Sequence, residues 1–128
     1  MKRQSSKVIV TGSIGKIEAK FSPTGEFICE FTLAVNHKKK EREFPNWYKG
    51  AIWGKQGELF NNLVQVGTLV EIMGEFMIEP WTTKDGKEGF TNLISKVYTF
   101  DVCEKGKPKT DNPYDESTPD VGDGENMP

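Results

Sequence analysis

Apolar residues recur at every second position through most of the first hundred residues, and this period constrains the fold more than any other feature. Side chains of a β-strand point alternately to its two faces, so the period indicates half-buried strands. The clearest case is the segment 26–35, in which one face carries Phe27, Cys29, Phe31, Leu33 and Val35. We therefore expect a sheet with one face on a core.

Five segments carry this pattern, namely residues 7–21, 26–35, 46–55, 68–80 and 90–102. Gly12 and Gly15 interrupt the first segment and indicate bulges or a bend. In the fourth we expect the inward side chains to be Val70, Ile72, Phe76 and Ile78. The connections predicted between strands are a Pro/Gly turn at 22–26, a charged loop or hairpin tip at 36–46, and a Gly-bearing loop at 81–89.

One segment departs from the period of two. Residues 57–66 space Leu59, Phe60, Leu63 and Val64 as a short helix would, and Gly67 is placed to end it. Three strands, a short helix and two strands match the five-stranded Greek-key barrel of the oligonucleotide-binding (OB) type. The absence of βαβ alternation excludes a doubly wound sheet. We predict an all-β OB-fold barrel with one helix between strands 3 and 4.

The C-terminal end of the chain has a different composition. Residues 104–128 are rich in Pro, Gly and acidic residues and poor in large apolar ones, so we predict a disordered acidic tail after a domain at 1–103. Residues 110–128 hold six acidic and no basic side chains, whereas residues 1–109 hold all 17 basic and the other 13 acidic ones, a net charge of +4. This asymmetry is a weak indication of nucleic-acid contact.

The sequence offers little material for catalysis. The only histidine is His37, and Cys29 and Cys103 fit no metal-binding spacing, so we expect two reduced, packed thiols and no metal or cofactor. The stretch GSIGK at 12–16 lacks the flanking residues of a phosphate-binding loop. We predict that the protein is not an enzyme.

The stretch NWYKGAIWGK at 46–55 places two tryptophans on one strand face. Alternation puts Trp47, Lys49, Trp53 and Lys55 on one side and Ile52 on the other. Such tryptophans either pack against the core or another subunit, or stack on unpaired bases while the lysines neutralise phosphates. Composition alone leaves both explanations open.

Several motifs together resemble the single-stranded DNA-binding protein (SSB) family of bacterial type. They are KVIVTGSIGKIEAKF, the PTG turn followed by FTLA, NWYKGAIWGK, VGTLVEIMGE and WTTKDGKEGFT, in this order, and they cover about residues 7–102. The resemblance implies an OB-fold that binds single-stranded DNA without sequence preference in replication, recombination and repair. It also implies a homo-oligomer, usually a tetramer. The N-terminus MKRQSSKVIVTGS has a basic start without a sustained apolar stretch, and no apolar run approaches the length of a membrane span, so we expect a cytoplasmic, nucleoid-associated protein.

The resemblance also assigns expected roles to residues. The predicted base-stacking residues are Trp47, Trp53 and Trp81. The predicted phosphate-binding residues are Arg3, Lys7, Lys38, Lys39, Lys40, Arg42, Lys49, Lys55, Lys84 and Lys87. Tyr48 is the predicted subunit contact. The family's tail ends in a Pro-Phe tip that docks on replication or repair proteins, whereas this chain ends in Met-Pro. The alternative function is an OB-fold protein-interaction module, such as a primosome-type accessory factor.

Overall fold

The computed structural model describes residues 3–105, and most of the predicted tail lies outside them. The elements are β1 Ser6–Phe21, β2 Phe27–Lys39, β3 Arg42–Trp53, α1 Gly54–Leu63, β4 Leu69–Thr82 and β5 Glu88–Glu104. The strands form a closed barrel in the order β1-β2-β3-β5-β4, and β4 pairs with β1 to close it. The predicted OB-fold, with its helix between strands 3 and 4, is confirmed.

The inward side chains of β1 to β5 and the helix fill the barrel. The buried apolar residues with the largest side chains are Phe31, Phe60, Ile14, Leu33, Ile72 and Ile94. Phe60 links the helix to the barrel, because its ring lies 5.1 Å from that of Phe31 and 4.8 Å from that of Phe100. Period-two alternation therefore identified the core face of β2 and β3 correctly.

A bulge at Gly15 divides β1 into two halves that face different neighbours. The register shifts between Ile14 and Lys16, as predicted, whereas Gly12 lies in a regular ladder. Residues before Ser13 pair with β4, and those after it pair with β2. The bulge also reverses the parity of the strand, so that even-numbered side chains point outward after it.

The helix begins and ends earlier than the predicted span of 57–66. Gly54, with φ of +71°, lets the chain turn directly from β3 into α1. The helix ends at Leu63, so the prediction that Gly67 ends it is wrong. Leu59 is also 52% exposed, so only part of the apolar spacing marks the buried face.

Two hairpins extend beyond the core. Residues 36–45 of the β2–β3 arm are exposed, and so are residues 77–88 of the β4–β5 arm. The predicted loop at 81–89 is confirmed in its central residues 83–87, and it is shorter than expected because β4 continues to Thr82 and β5 begins at Glu88. Ile78 was expected inward, but it is 54% exposed because the arm has left the barrel at that point.

The two cysteines occupy different environments. Cys29 is fully buried in the core, and this burial raises the pKa of its thiol to about 11. Cys103 is exposed on β5, so the expectation that both thiols are packed is wrong for this residue. Neither forms a disulfide.

Candidate nucleic-acid interface

The outward side of β1, β2 and β3 forms a continuous surface, which we call the tryptophan face. Cross-strand register arranges it in four rows: Ser13, Ala34 and Trp47; Lys16, Thr32 and Lys49; Glu18, Glu30 and Ala51; Lys20, Ile28 and Trp53. The sequence pattern therefore grouped Trp47, Lys49 and Trp53 correctly. Lys55 does not belong to this face, because the strand ends at Trp53 and Lys55 lies in the first turn of α1.

Both tryptophans of this face are open to solvent. Trp47 and Trp53 are each 52% exposed, which is incompatible with a place in the barrel core. They lie six residues apart on one strand, a separation of about 20 Å at roughly 3.3 Å per residue. The face therefore presents two separate aromatic surfaces to any ligand that runs along β3.

The bulge in β1 determines where the Trp47 ring lies. A Cβ atom placed on Gly15 would be only 2.6 Å from Cζ3 of Trp47 and 3.2 Å from Oγ1 of Thr32. The indole therefore packs directly on the Gly15 backbone, with no side chain between them. This contact holds the ring against β1 and leaves about half of its surface uncovered.

Charges on the tryptophan face are mixed. Lys16 and Lys49 are exposed on either side of Thr32 and form a basic row beside Trp47. Glu18 and Glu30 face each other in the next row. Nζ of Lys20 lies 2.9 Å from a carboxylate oxygen of Glu30, and this pairing offsets one of the two acids.

Lys16 was missed by sequence reasoning. Before Gly15 the outward residues of β1 are odd-numbered, and after it they are even-numbered. A regular alternation therefore assigns Lys16 to the wrong face, and only the position of the bulge corrects this.

Apart from Lys55 on α1, the predicted basic residues outside the tryptophan face lie in three separate regions. Lys38, Lys39, Lys40 and Arg42 are exposed near the tip of the β2–β3 arm, and Lys84 and Lys87 are exposed at the tip of the β4–β5 arm. The third region is the wall formed by β1 and β4. There Lys7 lies opposite Glu75 in register, and Arg3 binds the Glu75 carboxylate through two contacts of 2.7 and 2.6 Å.

Glu75 is the centre of a small polar network on that wall. Besides Arg3, the hydroxyl of Tyr98 donates to its carboxylate at 2.6 Å. The hydrogen bond from Arg3, followed by the one from Tyr98, lowers the pKa of Glu75 below its ordinary value. The guanidinium of Arg3 is therefore engaged with an acid of the same chain.

Trp81 lies on the β4–β5 arm, on the sheet face that also carries Trp47 and Lys49. Its ring packs on Gly89, where an added Cβ would lie 2.2 Å from Cζ2, and it is 45% exposed. Trp81 pairs with Gly89 and Pro80 pairs with Phe90, so Trp81 and Phe90 point to opposite faces of the β4–β5 arm. Phe90 was not predicted as a site residue, although it is 73% exposed.

An open groove of about 410 Å³ lies where the two arms separate. Trp47, Tyr48 and Lys49 of β3 line one side, and Phe90 and Asn92 of β5 line the other. Nδ2 of Asn92 donates a hydrogen bond of 3.1 Å to the carbonyl oxygen of Trp47 and ties the two strands together.

Tyr48 also contributes to the barrel itself. It is partly buried against the core cluster, and its ring centroid lies 6.1 Å from that of Phe76. Its expected role in a subunit contact stays a prediction.

We also searched the described part of the chain for metal-binding clusters and membrane-spanning helices. Residues 3–105 contain no group of three or more His, Cys, Asp or Glu side chains placed to hold a metal ion. Within the same residues, no helix has the length and apolar character to cross a membrane.

Comparison with known proteins gives a consistent result. The model of the single-strand binding protein family matches residues 5–100. Single-stranded DNA-binding protein 1 of Synechocystis sp. is 33% identical over 86 residues, which cover 66% of this chain and 71% of the relative. A single-stranded DNA-binding protein of Xanthomonas campestris is 30% identical over 100 residues, which cover 73% of this chain and 58% of the relative.

A solved structure supports the fold. The Plasmodium falciparum SSB, determined in complex with single-stranded DNA, superposes with a TM-score of 0.64 over 81% of this chain and 97% of that chain. Sequence identity between the two is 16%, so this similarity concerns the barrel architecture.

Proposed function

The chain belongs to the single-strand binding protein family, and on this premise we propose that it binds single-stranded DNA without sequence preference. The observation that carries the proposal is the exposure of Trp47 and Trp53 on one sheet face with Lys49 between them. Aromatic rings stack on any base, and lysines neutralise phosphates regardless of sequence. Members of this family are DNA-binding proteins without enzymatic activity.

We assign the first contacts to the tryptophan face. Trp47 and Trp53 stack on bases about 20 Å apart on one strand, and the row of Lys16 and Lys49 contacts the phosphates between them. The basic residues of the two arms supply further phosphate contacts. Trp81 lies on the β4–β5 arm on the same sheet face as Lys49, because Lys49 pairs with Leu93, and Leu93 pairs with Met77, four residues before Trp81. A DNA strand that continues from β3 onto that arm can therefore stack a base on it.

Arg3, Lys7 and Lys55 are proposed as secondary phosphate contacts. Arg3 reaches DNA only if its pairing with Glu75 is exchanged for pairing with a phosphate. Removal of any of these three cations should therefore weaken binding less than removal of Lys49, and a titration at several salt concentrations measures the difference.

We also propose that the protein is a homo-oligomer, with a tetramer as the expected form. Ile9 and Met73 are neighbours in register on the β1–β4 wall and are 63% and 38% exposed. Burial of these side chains and of Tyr48 against further copies would remove apolar surface from water. Light scattering after size-exclusion chromatography tests this, and a mass near 14.4 kDa would contradict it.

The cellular role follows from the proposed binding. We propose that the protein protects unpaired DNA during replication, recombination and repair in the cytoplasm, at the nucleoid. The domain at 1–103 binds DNA, and the acidic tail at 104–128 contacts replication or repair proteins. Deletion of the tail should tighten DNA binding at low salt, because it removes an anionic segment that competes for the basic surface. It should also abolish such protein contacts, which pull-down with tail peptides measures.

Titration with oligo-dT tests the central proposal. Tryptophan emission should be quenched on addition of DNA, and affinity should fall as salt rises. Trp53→Ala should weaken binding about 5- to 150-fold, the effect of losing one stacked base. Leu59→Ala is a matched control, because Leu59 is also 52% exposed but lies on the helix. Unchanged emission of the natural protein would refute the proposal.

A further inference from the structure

The groove between the two arms arises from the way β3 and β5 meet. The two strands pair in parallel over only three positions, beginning with Tyr48 opposite Asn92. On the N-terminal side of this pair each strand continues into its own arm, so the strands separate and leave a cleft. The hydrogen bond from Asn92 to the carbonyl of Trp47 closes the bottom of this cleft.

The cleft contains an aromatic side chain that is not part of the barrel core. Phe90 is 73% exposed, the highest value among the large hydrophobic residues of the described chain. Ile78, on the same side of the arm, is 54% exposed. A group of exposed apolar side chains beside a cleft is typical of a ligand-binding surface.

We propose that this groove binds one nucleobase of a DNA strand lying on the tryptophan face, and that Phe90 is a stacking residue alongside Trp47 and Trp53. This inference rests on the proposed function. The groove is continuous with the tryptophan face, because Trp47 and Lys49 belong to both. A base stacked on Phe90 therefore extends the path of the DNA from β3 onto the β4–β5 arm.

The chemistry of the groove fits a base with its phosphate. Its volume of about 410 Å³ lies within the roughly 300–1,000 Å³ of small-molecule clefts. Phe90 and Pro45 provide apolar surfaces for a base, and Lys49 provides a cation for the phosphate. No Asp or Glu is among the described residues that line it, although both arms carry acids elsewhere. This local charge favours an anionic ligand.

The choice of Phe90 over Trp81 follows from the residues that line the groove. Both are exposed aromatic residues of the same arm, but they point to opposite faces. Phe90 lines the groove together with Trp47, whereas Trp81 is not among the described residues that line it. A short oligonucleotide that covers the tryptophan face and the groove should therefore depend on Phe90.

A mutational titration with short oligo-dT tests the assignment. Phe90→Ala should weaken binding about 5- to 150-fold, and Phe90→Tyr should restore it, because a tyrosine ring also stacks. Phe21→Ala is the matched control, since Phe21 is 69% exposed and lies at the far end of β1. Thermal unfolding of each variant verifies that the fold is retained.

Photocrosslinking gives a readout that does not depend on affinity. A dT oligonucleotide that contains 5-iodouracil should crosslink to the peptide that carries Phe90, and the crosslink should be lost in Phe90→Ala. If the natural protein does not bind DNA, the proposed function itself fails. If it binds, but Phe90→Ala binds equally well and no crosslink forms there, only the groove assignment is overturned. Unchanged affinity with a smaller oligomer mass would show that a second copy occupies the groove.

Discussion

Replacement of Gly15 by alanine adds one methyl group directly beneath the ring of Trp47. The new Cβ would lie 2.6 Å from Cζ3 of the indole, about 1 Å closer than the roughly 3.5–4.0 Å of ordinary carbon contacts. Gly15 is not among the glycines with positive φ, so the backbone accepts alanine. The atoms that collide with it belong to the end of a side chain, so the ring moves and the sheet stays.

The expected change in stability is small. About half of Trp47 is buried, which corresponds to roughly 120 Å² and about 3 kcal/mol at 25 cal/mol per Å². A gap of about 1 Å forfeits up to half of the contact energy, or about 1–1.5 kcal/mol. Alanine in a strand recovers about 0.5–1 kcal/mol relative to glycine. The free energy of unfolding should therefore change by less than about 1 kcal/mol.

The expected change in DNA affinity is larger. A displaced ring no longer presents its open surface to a base, so binding should weaken by up to the 1–3 kcal/mol of one stacked base, about 5- to 150-fold. Fluorescence titration of the natural protein, Gly15→Ala, Trp47→Ala and the double variant measures the coupling. In the Trp47→Ala background, Gly15→Ala should have no further effect.

The control is the same substitution beneath the other tryptophan. Gly89→Ala should displace Trp81 on the β4–β5 arm, and any loss of affinity should add to that of Trp47→Ala instead of being removed by it. The predicted displacement of the Trp47 ring is refuted if Gly15→Ala weakens DNA binding equally in the presence and in the absence of Trp47. In that case the methyl group would act on the sheet rather than on the ring.

Three further predictions concern charge and thiol chemistry. Glu18→Gln should tighten DNA binding about 2- to 5-fold at low salt and have little effect at high salt, because it removes an acid between the two tryptophans. A disulfide reagent such as DTNB should modify Cys103 rapidly and Cys29 only on unfolding, because Cys29 is fully buried and its pKa is raised to about 11. The pKa of Glu75 is lowered in the folded state by Arg3, so its stabilising effect is complete above the unfolded-state pKa of about 4.3 and is lost as pH falls through the lower folded-state pKa. Glu75→Gln should therefore destabilise the protein at pH 6 and lose this effect in strong acid, which denaturant titrations at several pH values measure.

Each of these predictions has a control within the chain. Glu71→Gln removes an acid from the outer side of β4, away from the tryptophan face, and should leave DNA affinity unchanged. Cys103→Ser should abolish the rapid thiol reaction; a rapid reaction that persists would contradict the burial of Cys29. A Glu75→Gln variant that unfolds with the same pH dependence as the natural protein would show that the Arg3 contact does not contribute to stability.

The strand pattern predicted the architecture because alternation is a property of the local backbone. Side chains two residues apart in a strand share a face whatever surrounds them, so the inward Phe31 and Leu33 and the outward Trp47 and Trp53 were readable from spacing alone. The same pattern did not show where the helix begins. That depends on Gly54, whose positive φ turns the chain at the end of β3.

On β1 and β4 the alternation pattern did not show which face a residue takes after a bulge, or which strand lies beside it. A bulge at Gly15 reverses the parity of β1, and this brings Lys16 to the side of Lys49. Arg3 was expected to be available for DNA, but the pairing of β1 with β4 places it beside Glu75. Neither relationship follows from spacing, because each depends on which strand lies next to β1.

The sequence by itself determined that five strands form a barrel with two outward tryptophans and a lysine between them, because the polypeptide backbone imposes that alternation on every strand. Only the tertiary structure decided which aromatic residues face the same ligand. β3 and β5 pair over three positions and then separate, and this short contact opens the groove, exposes Ile78 and brings Phe90 and Trp47 to the lining of one groove. The length of a strand contact is set by the closure of the barrel, and no local pattern encodes it.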